Sequence, residues 1–272
     1  MGILNVTPDS FADGGRYLEP RQAIERALLM AEEGADIIDV GGESTRPAGT
    51  YGAGAQPVSE EEEIRRTAPV IEELAARTDL IISIDTTKAA VAQHALRLGA
   101  SIVNDISAMR FDPLMGTTIA QSGAAVVLMH MKGTPLTMQI KPAYRNLIRE
   151  ILDFLGERRN AAVEAGIDPG RILIDPGLGF GKRNVHNYEI LARLDAFHGM
   201  GCPLMVGPSR KKFIGAELDL PPEARLFGTL AAVSFSVAAG AHVVRVHDVG
   251  AAVQAVRVAE QIVSACDAPE DT

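Results

Sequence analysis

The sequence predicts an α/β protein in which eight parallel strands and eight helices alternate and close into a (β/α)8 TIM barrel. Three observations support this prediction. Short aliphatic runs recur along the chain, amphipathic segments fill the gaps between them, and the chain has 272 residues, a usual length for a one-domain barrel. We expect one barrel over residues 1–267 and a short acidic tail over residues 268–272.

Strands are predicted where residues such as Val, Ile and Leu stand together in short runs, because strands of a parallel sheet are buried on both faces. In chain order the runs are Gly2–Thr7, Ala35–Gly41, Leu80–Asp85, Ser101–Asp105, Ala125–His130, Arg171–Asp175, Pro203–Gly207 and His242–His247. Aromatic residues make up only 4% of the chain and Trp is absent. The core must therefore be packed mainly with aliphatic side chains.

Helices are predicted between the strands, where apolar residues recur every three to four positions. They cover Pro20–Glu33, Ser59–Arg77, Lys88–Leu98, Pro113–Ser122, Pro142–Ala165, Asn187–Phe197, Pro222–Ala239 and Val249–Cys266. Ser59 and Glu62 have the spacing of a capping box, and glycine follows several of the helices, as is usual at helix ends. A doubly wound open sheet is the competing fold, but it would require a G-x-G-x-x-G turn, which the sequence lacks.

The net charge of −9 makes nucleic acid and anionic membranes poor partners, because like charges repel. The basic cluster Arg210-Lys211-Lys212 is too short to reverse this effect. No uninterrupted apolar stretch reaches the ~18 residues of a membrane span, and no signal peptide is evident. Cys202 and Cys266 lack the spacing of a disulfide or zinc framework. We therefore expect a cytoplasmic protein that binds neither nucleic acid nor membrane.

Nearly every chemically interesting side chain stands at the trailing end of a predicted strand. These residues are Asn5, Asp39, Asp85, Asn104, Asp105, His130, Asp175, Arg245 and His247. In a barrel the trailing ends of all strands meet at one face, which is where active sites lie. A single Asp at such a position could equally cap the next helix, but Arg, His and Lys do not cap helix N-termini. The set as a whole predicts one polar site.

One part of this site fits a flat heterocycle. Asp85, Asn104 and Asp175 follow strands three, four and six, and buried carboxylates are costly unless they accept hydrogen bonds. The 2-amino group and ring N–H of a pterin or purine would supply donors, and an amide can both donate and accept. Lys211 could donate to a ring carbonyl. Alternatively, Lys211 forms an internal salt bridge with one of the carboxylates.

A second part of the site fits an anion. Asn5, Thr45, Arg245 and His247 follow strands one, two and eight, which are neighbours once the barrel closes. The planar fork of Arg binds phosphate oxygens, and Mg²⁺ prefers oxygen ligands together with substrate phosphates, so Asn5 is a candidate magnesium ligand. His130 and His247 could form a metal pair, although nothing has zinc spacing. His130 could as well act through hydrogen bonds to other site residues.

The motifs that carry these residues resemble, in the same order, those of the dihydropteroate synthase family. The matching segments are Met1–Gly15, Asp39–Pro47, Ser83–Thr86, Asn104–Ile106, Leu128–Gln139, Ile172–Lys182, Ser209–Gly215 and Arg245–Val249. They span nearly the whole chain, and the ordered set is far more specific than any one segment. One departure is Ala48, which separates Pro47 from Gly49 where the family usually has Arg-Pro-Gly.

The resemblance implies a transferase of folate biosynthesis that condenses p-aminobenzoate with 6-hydroxymethyl-7,8-dihydropterin pyrophosphate to give 7,8-dihydropteroate and pyrophosphate. The cofactor would be Mg²⁺, held by Asn5. The implied substrate-binding residues are Thr45, Arg46, Pro47, Asp85, Asn104, Asp175, Phe180, Gly207, Ser209, Lys211, Arg245 and His247. Within that set, Asp85, Lys211 and Arg245 are the expected catalytic residues. The family is typically homodimeric and a sulfonamide target, and we expect the same here.

Two other functions share part of this pattern. A pterin-dependent methyltransferase with a similar barrel would need the three heterocycle-binding residues, but would not need Thr45, Ser209–Lys211 or the pair of Arg245 and His247. A non-catalytic pterin-binding paralogue would be expected to have lost its phosphate-binding residues. Because the sequence retains all of them, both functions rank below the synthase.

Overall fold

Eight short parallel strands run through the part of the chain that the structure, a computed structural model, describes, namely residues 1–6, 20–43 and 58–266. They are β1 (Gly2–Asn5), β2 (Ile37–Gly41), β3 (Ile81–Asp85), β4 (Ile102–Asp105), β5 (Ala125–Met129), β6 (Ile172–Asp175), β7 (Met205–Val206) and β8 (Val243–Val244). Each lies within a predicted run and is shorter than predicted. β7 is confined between Pro203 and Pro208, which have no amide hydrogen to donate to a ladder.

The strands are joined in chain order into a closed barrel. β1 to β6 form one continuous parallel sheet, and β7 pairs with β8. A bridge between Ile174 and Leu204 connects β6 to β7, and a bridge between Gly2 and Val246 connects β8 back to β1. A backbone hydrogen bond of 2.9 Å from Ile3 N to the Val246 carbonyl strengthens the closing seam. The predicted (β/α)8 barrel is confirmed.

The helices of the described residues pack on the outside of the strands. They are α1 (Pro20–Glu32), α2 (Glu60–Arg77), α3 (Ala89–Arg97), α4 (Met115–Ser122), α5 (Leu147–Glu164), α6 (Asn184–Ala192), α7 (Lys212–Leu218), α8 (Leu226–Ala238) and α9 (Val249–Cys266). The sequence did not predict α7, whose seven residues are too few to show a helical period. α6 begins earlier than predicted, and a 3-10 turn over Leu194–Met200 follows it. None of these described helices is long and apolar enough to cross a membrane.

The helix ends follow the capping chemistry that the sequence predicts. Ser59 Oγ accepts a hydrogen bond from the Glu62 amide at 3.3 Å at the start of α2. α5 begins later than predicted, because Asn146 Oδ1 caps the Arg149 amide at 3.2 Å. The glycines with positive φ that follow α1, α3, α4 and α5 are Gly34, Gly99, Gly123 and Gly166. Glycine tolerates this conformation, which ends a helix by satisfying its last carbonyls.

Two apolar layers hold the barrel together. The larger one lies between strands and helices and contains fully buried residues such as Val126 and Leu128. Val127 belongs to the second layer, because successive side chains of a strand point to opposite faces. This inner layer is formed by Met1, Ile102, Val127 and Met205, with Ile37, Ala125, Leu173 and Val243 packed against them. It closes the barrel interior as an aliphatic floor.

The same alternation places polar side chains on this floor. Residues two positions apart on a strand share a face, so each floor residue is followed by an inward-facing residue nearer the trailing end of its strand. In four of these pairs the second residue is polar, namely Ile37 with Asp39, Ile102 with Asn104, Leu173 with Asp175 and Val243 with Arg245. The polar site is therefore a direct consequence of strand geometry.

Candidate active site

A row of residues crosses the trailing ends of the first four strands. In the parallel register Asn5 pairs with Gly41, Gly41 with Asp85, and Asp85 with Asn104, so all four lie on the inner face. A Cβ placed on Gly41 would stand 3.5 Å from the Asp85 Cβ and 3.7 Å from the Asn5 Oδ1. Asn5 and Asp85 thus face each other across a residue that has no side chain.

Arg245 joins the end of β8 to this row and to Asp39. Its Nε donates to Asp39 Oδ2 at 2.6 Å, and its Nη2 donates to Asp85 Oδ2 at 2.7 Å. Asn104 Nδ2 donates to the same Asp39 oxygen at 2.9 Å. Although the sequence predicts an anion-binding role for Arg245, its side chain binds the carboxylates of Asp85, which belongs to the heterocycle part, and of Asp39. The two parts of the site are therefore one hydrogen-bonded cluster.

Burial dominates the ionisation of this cluster. It raises the pKa of Asp85 to about 7, and Asp39 adds to the rise while Arg245 opposes it. Burial also raises the pKa of Asp175. Burial lowers the pKa of Arg245, but the carboxylates of Asp39 and Asp85 outweigh that effect and raise it. A fixed positive charge thus lies between two carboxylates, one of which changes protonation near neutral pH.

Asp175 lies at the end of β6, at the base of a glycine-rich loop. Its Oδ1 accepts the amide of Gly177 at 2.7 Å. Gly177 has a φ of +70°, and a Cβ there would stand 2.0 Å from the carbonyl oxygen of His130. Only glycine lets the loop after β6 lie this close to the end of β5, and the close packing holds the Asp175 carboxylate in place.

Lys211 lies immediately before α7, with its Nζ 4.3 Å from the centroid of the Phe180 ring. Burial lowers its pKa to about 8, Arg245 lowers it further, and Asp175 and Asp85 oppose the shift. The sequence left open an internal salt bridge of Lys211. Among the ion pairs of the described residues, Arg245 and not Lys211 binds the Asp85 carboxylate. The lysine is held by an aromatic ring, and its ammonium hydrogens remain available to a ligand.

His247 and Ser209 form a pair beside Arg245. Ser209 Oγ and His247 Nδ1 are 2.9 Å apart, and the His247 amide donates to the same oxygen at 3.2 Å. Burial lowers the pKa of His247 to about 3, and Arg245 and Arg210 lower it further. Gly207 lies close to them, since a Cβ there would stand 3.8 Å from the Arg245 Cβ. A neutral imidazole, a hydroxyl and one guanidinium can bind an anion without a second buried cation.

His130 is engaged by the buried side chain of Lys182. Lys182 Nζ lies 2.9 Å from His130 Nδ1 and also donates to the carbonyls of His130 (3.3 Å) and Phe180 (3.0 Å). Burial lowers the pKa of His130 to about 2, and Lys182 and Arg110 lower it further. A neutral ring whose Nδ1 is hydrogen-bonded to Lys182 supports the hydrogen-bonding role over the metal pair with His247.

Part of the predicted substrate pocket lies outside the described residues. The residues concerned are Thr45, Arg46 and Pro47. Residues 7–19, after β1, lie outside as well. On this side of the site the last described residue is Glu43, which pairs with Lys88, and Lys88 also binds the buried Glu63 at 2.5 Å. This group of three charges connects the end of β2 with α2 and the start of α3.

Two buried residues of the site have no role in the sequence-based assignment. Asp39 was noted only as a polar residue at a strand end, although strand alternation places it on the same face as Asp85. Lys182 enters the sequence-based prediction only as a residue of the loop after the sixth strand, within the matching segment Ile172–Lys182. Its contact with His130 depends on how the loops after β5 and β6 pack, and no sequence pattern records that.

Known proteins match this chain along nearly its whole length. A family model described as pterin binding enzyme matches residues 1–247. The chain is 47% identical over 265 residues to the dihydropteroate synthase of Escherichia coli strain K12, covering 97% of this chain and 92% of that protein. It is 46% identical over 249 residues to the dihydropteroate synthase of Bacillus subtilis strain 168, covering 92% and 83%.

Solved structures agree with these relatives. The Yersinia pestis dihydropteroate synthase, in complex with a sulfonamide drug, has a TM-score of 0.91 and 44% identity over 97% of this chain and 93% of that one. The Xanthomonas albilineans dihydropteroate synthase with 4-aminobenzoic acid has a TM-score of 0.88 and 44% identity, covering 96% and 91%. The complex of the Xanthomonas albilineans enzyme with 7,8-dihydropteroate has a TM-score of 0.85 and 42% identity, covering 96% and 92%.

Proposed function

The chain belongs to the dihydropteroate synthase family of pterin-binding enzymes, and we propose that it condenses p-aminobenzoate with 6-hydroxymethyl-7,8-dihydropterin pyrophosphate. The products are 7,8-dihydropteroate and pyrophosphate, so the enzyme is a transferase of folate biosynthesis. The observation that carries this proposal is the cluster of Asp39, Asp85, Asn104 and Arg245 on the barrel floor, beside Asp175.

This cluster offers mainly hydrogen-bond acceptors, which match the donor edge of a pterin. Asp85 and Asp175 contribute carboxylates, and the Asn104 amide has its oxygen left over because Asp39 takes its nitrogen. The 2-amino group and a ring N–H of the pterin would donate to these oxygens. Lys211 would donate to the ring carbonyl, which would complete recognition on the opposite edge.

The diphosphate would bind beside the pterin, at the ends of β7 and β8. Arg245 uses Nε and Nη2 for Asp39 and Asp85, and the described residues leave its Nη1 for a phosphate oxygen. His247, Ser209 and the backbone at Gly207 lie next to it. We assign Thr45, on the loop after β2, to the same subsite.

We propose Mg²⁺ as the cofactor, with Asn5 as its protein ligand. The amide oxygen of Asn5 faces the barrel interior next to Gly41, and Mg²⁺ prefers oxygen donors. The described residues contain no group of three or more His, Cys, Asp or Glu side chains that could hold a metal ion. A single amide oxygen still fits, because Mg²⁺ commonly takes one or two protein ligands beside water and substrate phosphates. When bound, the ion would neutralise charge on the diphosphate.

The reaction exchanges one bond at the pterin methylene for another. The C–O bond to pyrophosphate breaks, and its electron pair leaves with the pyrophosphate, whose charge Arg245 stabilises. The positive charge left on the methylene delocalises into the ring, near the carboxylates of Asp85 and Asp175. The amine of p-aminobenzoate then forms the C–N bond with its nitrogen lone pair and releases its proton to water. An aromatic amine needs no strong base, so the neutral His247 is not required as one.

The p-aminobenzoate pocket would lie outside the pterin pocket, toward the loops. Phe180, Ser209 and Lys211 form its described wall, with the Phe180 ring beside Lys211. We assign the other wall to the segment of Thr45, Arg46 and Pro47. Relatives bind 4-aminobenzoic acid and a sulfonamide drug, and we propose that both compete for this pocket here.

We further propose a homodimer joined through α8 and α9. These helices form an apolar groove whose lining includes Phe235, Val258 and Ile262, each more than half exposed. Contiguous exposed apolar surface of this kind marks interfaces, and a two-fold axis would let the same groove serve both copies.

A cytoplasmic location is supported by the free thiols of Cys202 and Cys266.

Pyrophosphate release tests the proposed activity. The purified chain should release pyrophosphate only when p-aminobenzoate, the pterin pyrophosphate and Mg²⁺ are all present, because the amine must capture the methylene for turnover to occur. Tight pterin binding without turnover would instead indicate a binding protein. Methyl transfer to a corrinoid protein would indicate a methyltransferase.

A further inference from the structure

One carboxylate oxygen of the fully buried Asp39 serves two partners. Oδ2 accepts from Arg245 Nε at 2.6 Å and from Asn104 Nδ2 at 2.9 Å. Oδ1 has no hydrogen-bond partner among the described residues. Since Asp39 lies beneath the residues that face the ligand, any effect it has on the substrate passes through Arg245 and Asn104.

The contact with Asp39 decides which way the Asn104 amide is turned. A carboxylate oxygen that already binds a guanidinium can only accept, so the Asn104 atom facing it must be the NH₂ group. The two ends of an amide look alike in shape and differ in polarity. The NH₂ group is thereby committed to Asp39, while no described residue donates to the Asn104 oxygen. Asn104 therefore offers an acceptor to the ligand, although an amide by itself could offer either.

We propose that Asp39 is a positioning residue that sets the ligand specificity of the site by holding the Asn104 oxygen toward the ligand. This inference rests on the proposed pterin-binding function. A ligand edge with an N–H donor, such as the 2-amino group of a pterin, meets an acceptor. A ligand with a carbonyl at that position, as in a lumazine, meets oxygen against oxygen and is rejected.

The same carboxylate also sets the orientation of Arg245. With Nε on Asp39 and Nη2 on Asp85, the planar guanidinium has one fixed orientation, which leaves Nη1 on its remaining side. A single buried residue thus determines the polarity of the pterin pocket and the direction of the cation beside it. Removing the Asp39 carboxylate should therefore disturb both Asn104 and Arg245. Removing a neighbouring polar group that contacts neither of them should disturb neither.

The test is the binding of two matched probes, 6-hydroxymethylpterin and 6-hydroxymethyllumazine, measured by isothermal titration calorimetry without turnover. The wild-type protein should prefer the pterin by at least ~100-fold, because a buried acceptor rejects an analogue that lacks the donor. Asp39→Leu leaves no acceptor for the Asn104 NH₂ group, so Asn104 can turn over. The preference should fall at least ~10-fold, the scale of one lost hydrogen bond to a charged group.

Ser83→Ala is the matched control. Ser83 is registered opposite Asp39 on β3, is fully buried, and its Oγ has no hydrogen-bond partner among the described residues. Its removal should leave the preference for the pterin unchanged. A general loosening of the barrel interior would change the preference in both variants, whereas loss of the Asn104 orientation would change it only in Asp39→Leu.

A second variant keeps the test decisive if Asp39→Leu folds poorly. Asn104→Leu removes the acceptor directly, so it should also lower the preference by at least ~10-fold. In the double variant the two losses should not add, because Asp39 acts through Asn104. An unchanged preference in Asn104→Leu, or full additivity, would overturn the inference.

The outcomes separate this inference from the proposed function. If the wild-type protein binds neither probe, the proposed pterin site is wrong and the inference fails with it. If the wild-type protein prefers the pterin and folded Asp39→Leu keeps the full preference, the proposed function stands and only the role of Asp39 is wrong.

Discussion

The ammonium of Lys211 lies 4.3 Å from the centre of the Phe180 ring, so the loops after β6 and β7 meet inside the site. A cation over an aromatic face is stabilised by ~0.5–2 kcal/mol and keeps its hydrogens free. Asp85 and Asp175 raise the pKa of Lys211 but form no ion pair with it among the described residues. Its ammonium group is therefore available to a ligand.

Lys211→Ala should abolish turnover and leave the fold intact. The variant loses the donor to the ring carbonyl and a charge in the site, so kcat/KM should fall at least ~100-fold, the scale of one lost electrostatic contact to the reacting group. Thermal unfolding should change little, because burial already disfavours the charged form. Lys212→Ala is the control, since Lys212 is the exposed neighbour. Wild-type activity in Lys211→Ala would exclude the role assigned to it.

The pH dependence of kcat/KM should be bell-shaped, with its maximum between about 7 and about 8. Asp85, whose pKa is raised to about 7 by burial and by Asp39 against Arg245, must be ionised to stabilise the positive charge that develops on the pterin methylene. Activity should therefore rise as pH rises through about 7. Lys211, whose pKa is lowered to about 8, must be protonated to donate, so activity should fall as pH rises through about 8.

Lys211→Arg assigns the alkaline limb of this profile. An arginine stays protonated well above pH 8, so the fall at high pH should disappear while the rise near pH 7 remains. Steady-state kinetics across about pH 5–10, about two pH units beyond each limb, would measure both. An alkaline limb unchanged in Lys211→Arg would mean that another group causes it.

Lys182→Met should both destabilise the protein and weaken p-aminobenzoate binding. The variant leaves His130 Nδ1 and the Phe180 carbonyl without the donor they now share, which costs ~1–3 kcal/mol. Because the loop that carries Phe180 loses an anchor, KM for p-aminobenzoate should rise more than KM for the pterin pyrophosphate. The exposed Lys141→Met is the control. Equal changes in both KM values would argue against a specific effect on Phe180.

Val258→Asp should convert the proposed dimer into a monomer. Val258 is 61% exposed in the groove between α8 and α9, and burying a charge in an apolar interface is costly. Light scattering should show a dimer for the wild-type protein and a monomer for the variant. Val185→Asp is a matched control, since Val185 is equally exposed outside the groove. A variant that remains dimeric would place the interface elsewhere.

Local rules of the sequence were enough to predict the barrel. Strands buried on both faces leave aliphatic runs, and the trailing end of each run marks the site. The boundaries of the last strands were harder to predict, because β7 lies between Pro203 and Pro208 and its length depends on pairing with the neighbouring strands. α7 was missed because a helix of seven residues has no readable period.

The site was predictable as a set of residues but not as a network. Asp85, Asn104 and Asp175 follow from strand position alone. The bond between Arg245 and Asp39 joins residues 206 positions apart and exists only because β8 closes against β1. The polarity of the Asn104 amide depends on that closure as well. No reading of separate motifs could have shown that Arg245 belongs to both parts of the site.

The central claim is that the strand-end cluster carries out the condensation, and product analysis tests it most directly. The chain would be incubated with ¹³C-labelled p-aminobenzoate, the pterin pyrophosphate and Mg²⁺, and labelled 7,8-dihydropteroate and pyrophosphate would be quantified by mass spectrometry and a coupled assay. We predict the two products in equal amounts, and a loss of at least ~100-fold in Asp85→Asn. Pyrophosphate without labelled dihydropteroate, or full activity in Asp85→Asn, would contradict the claim.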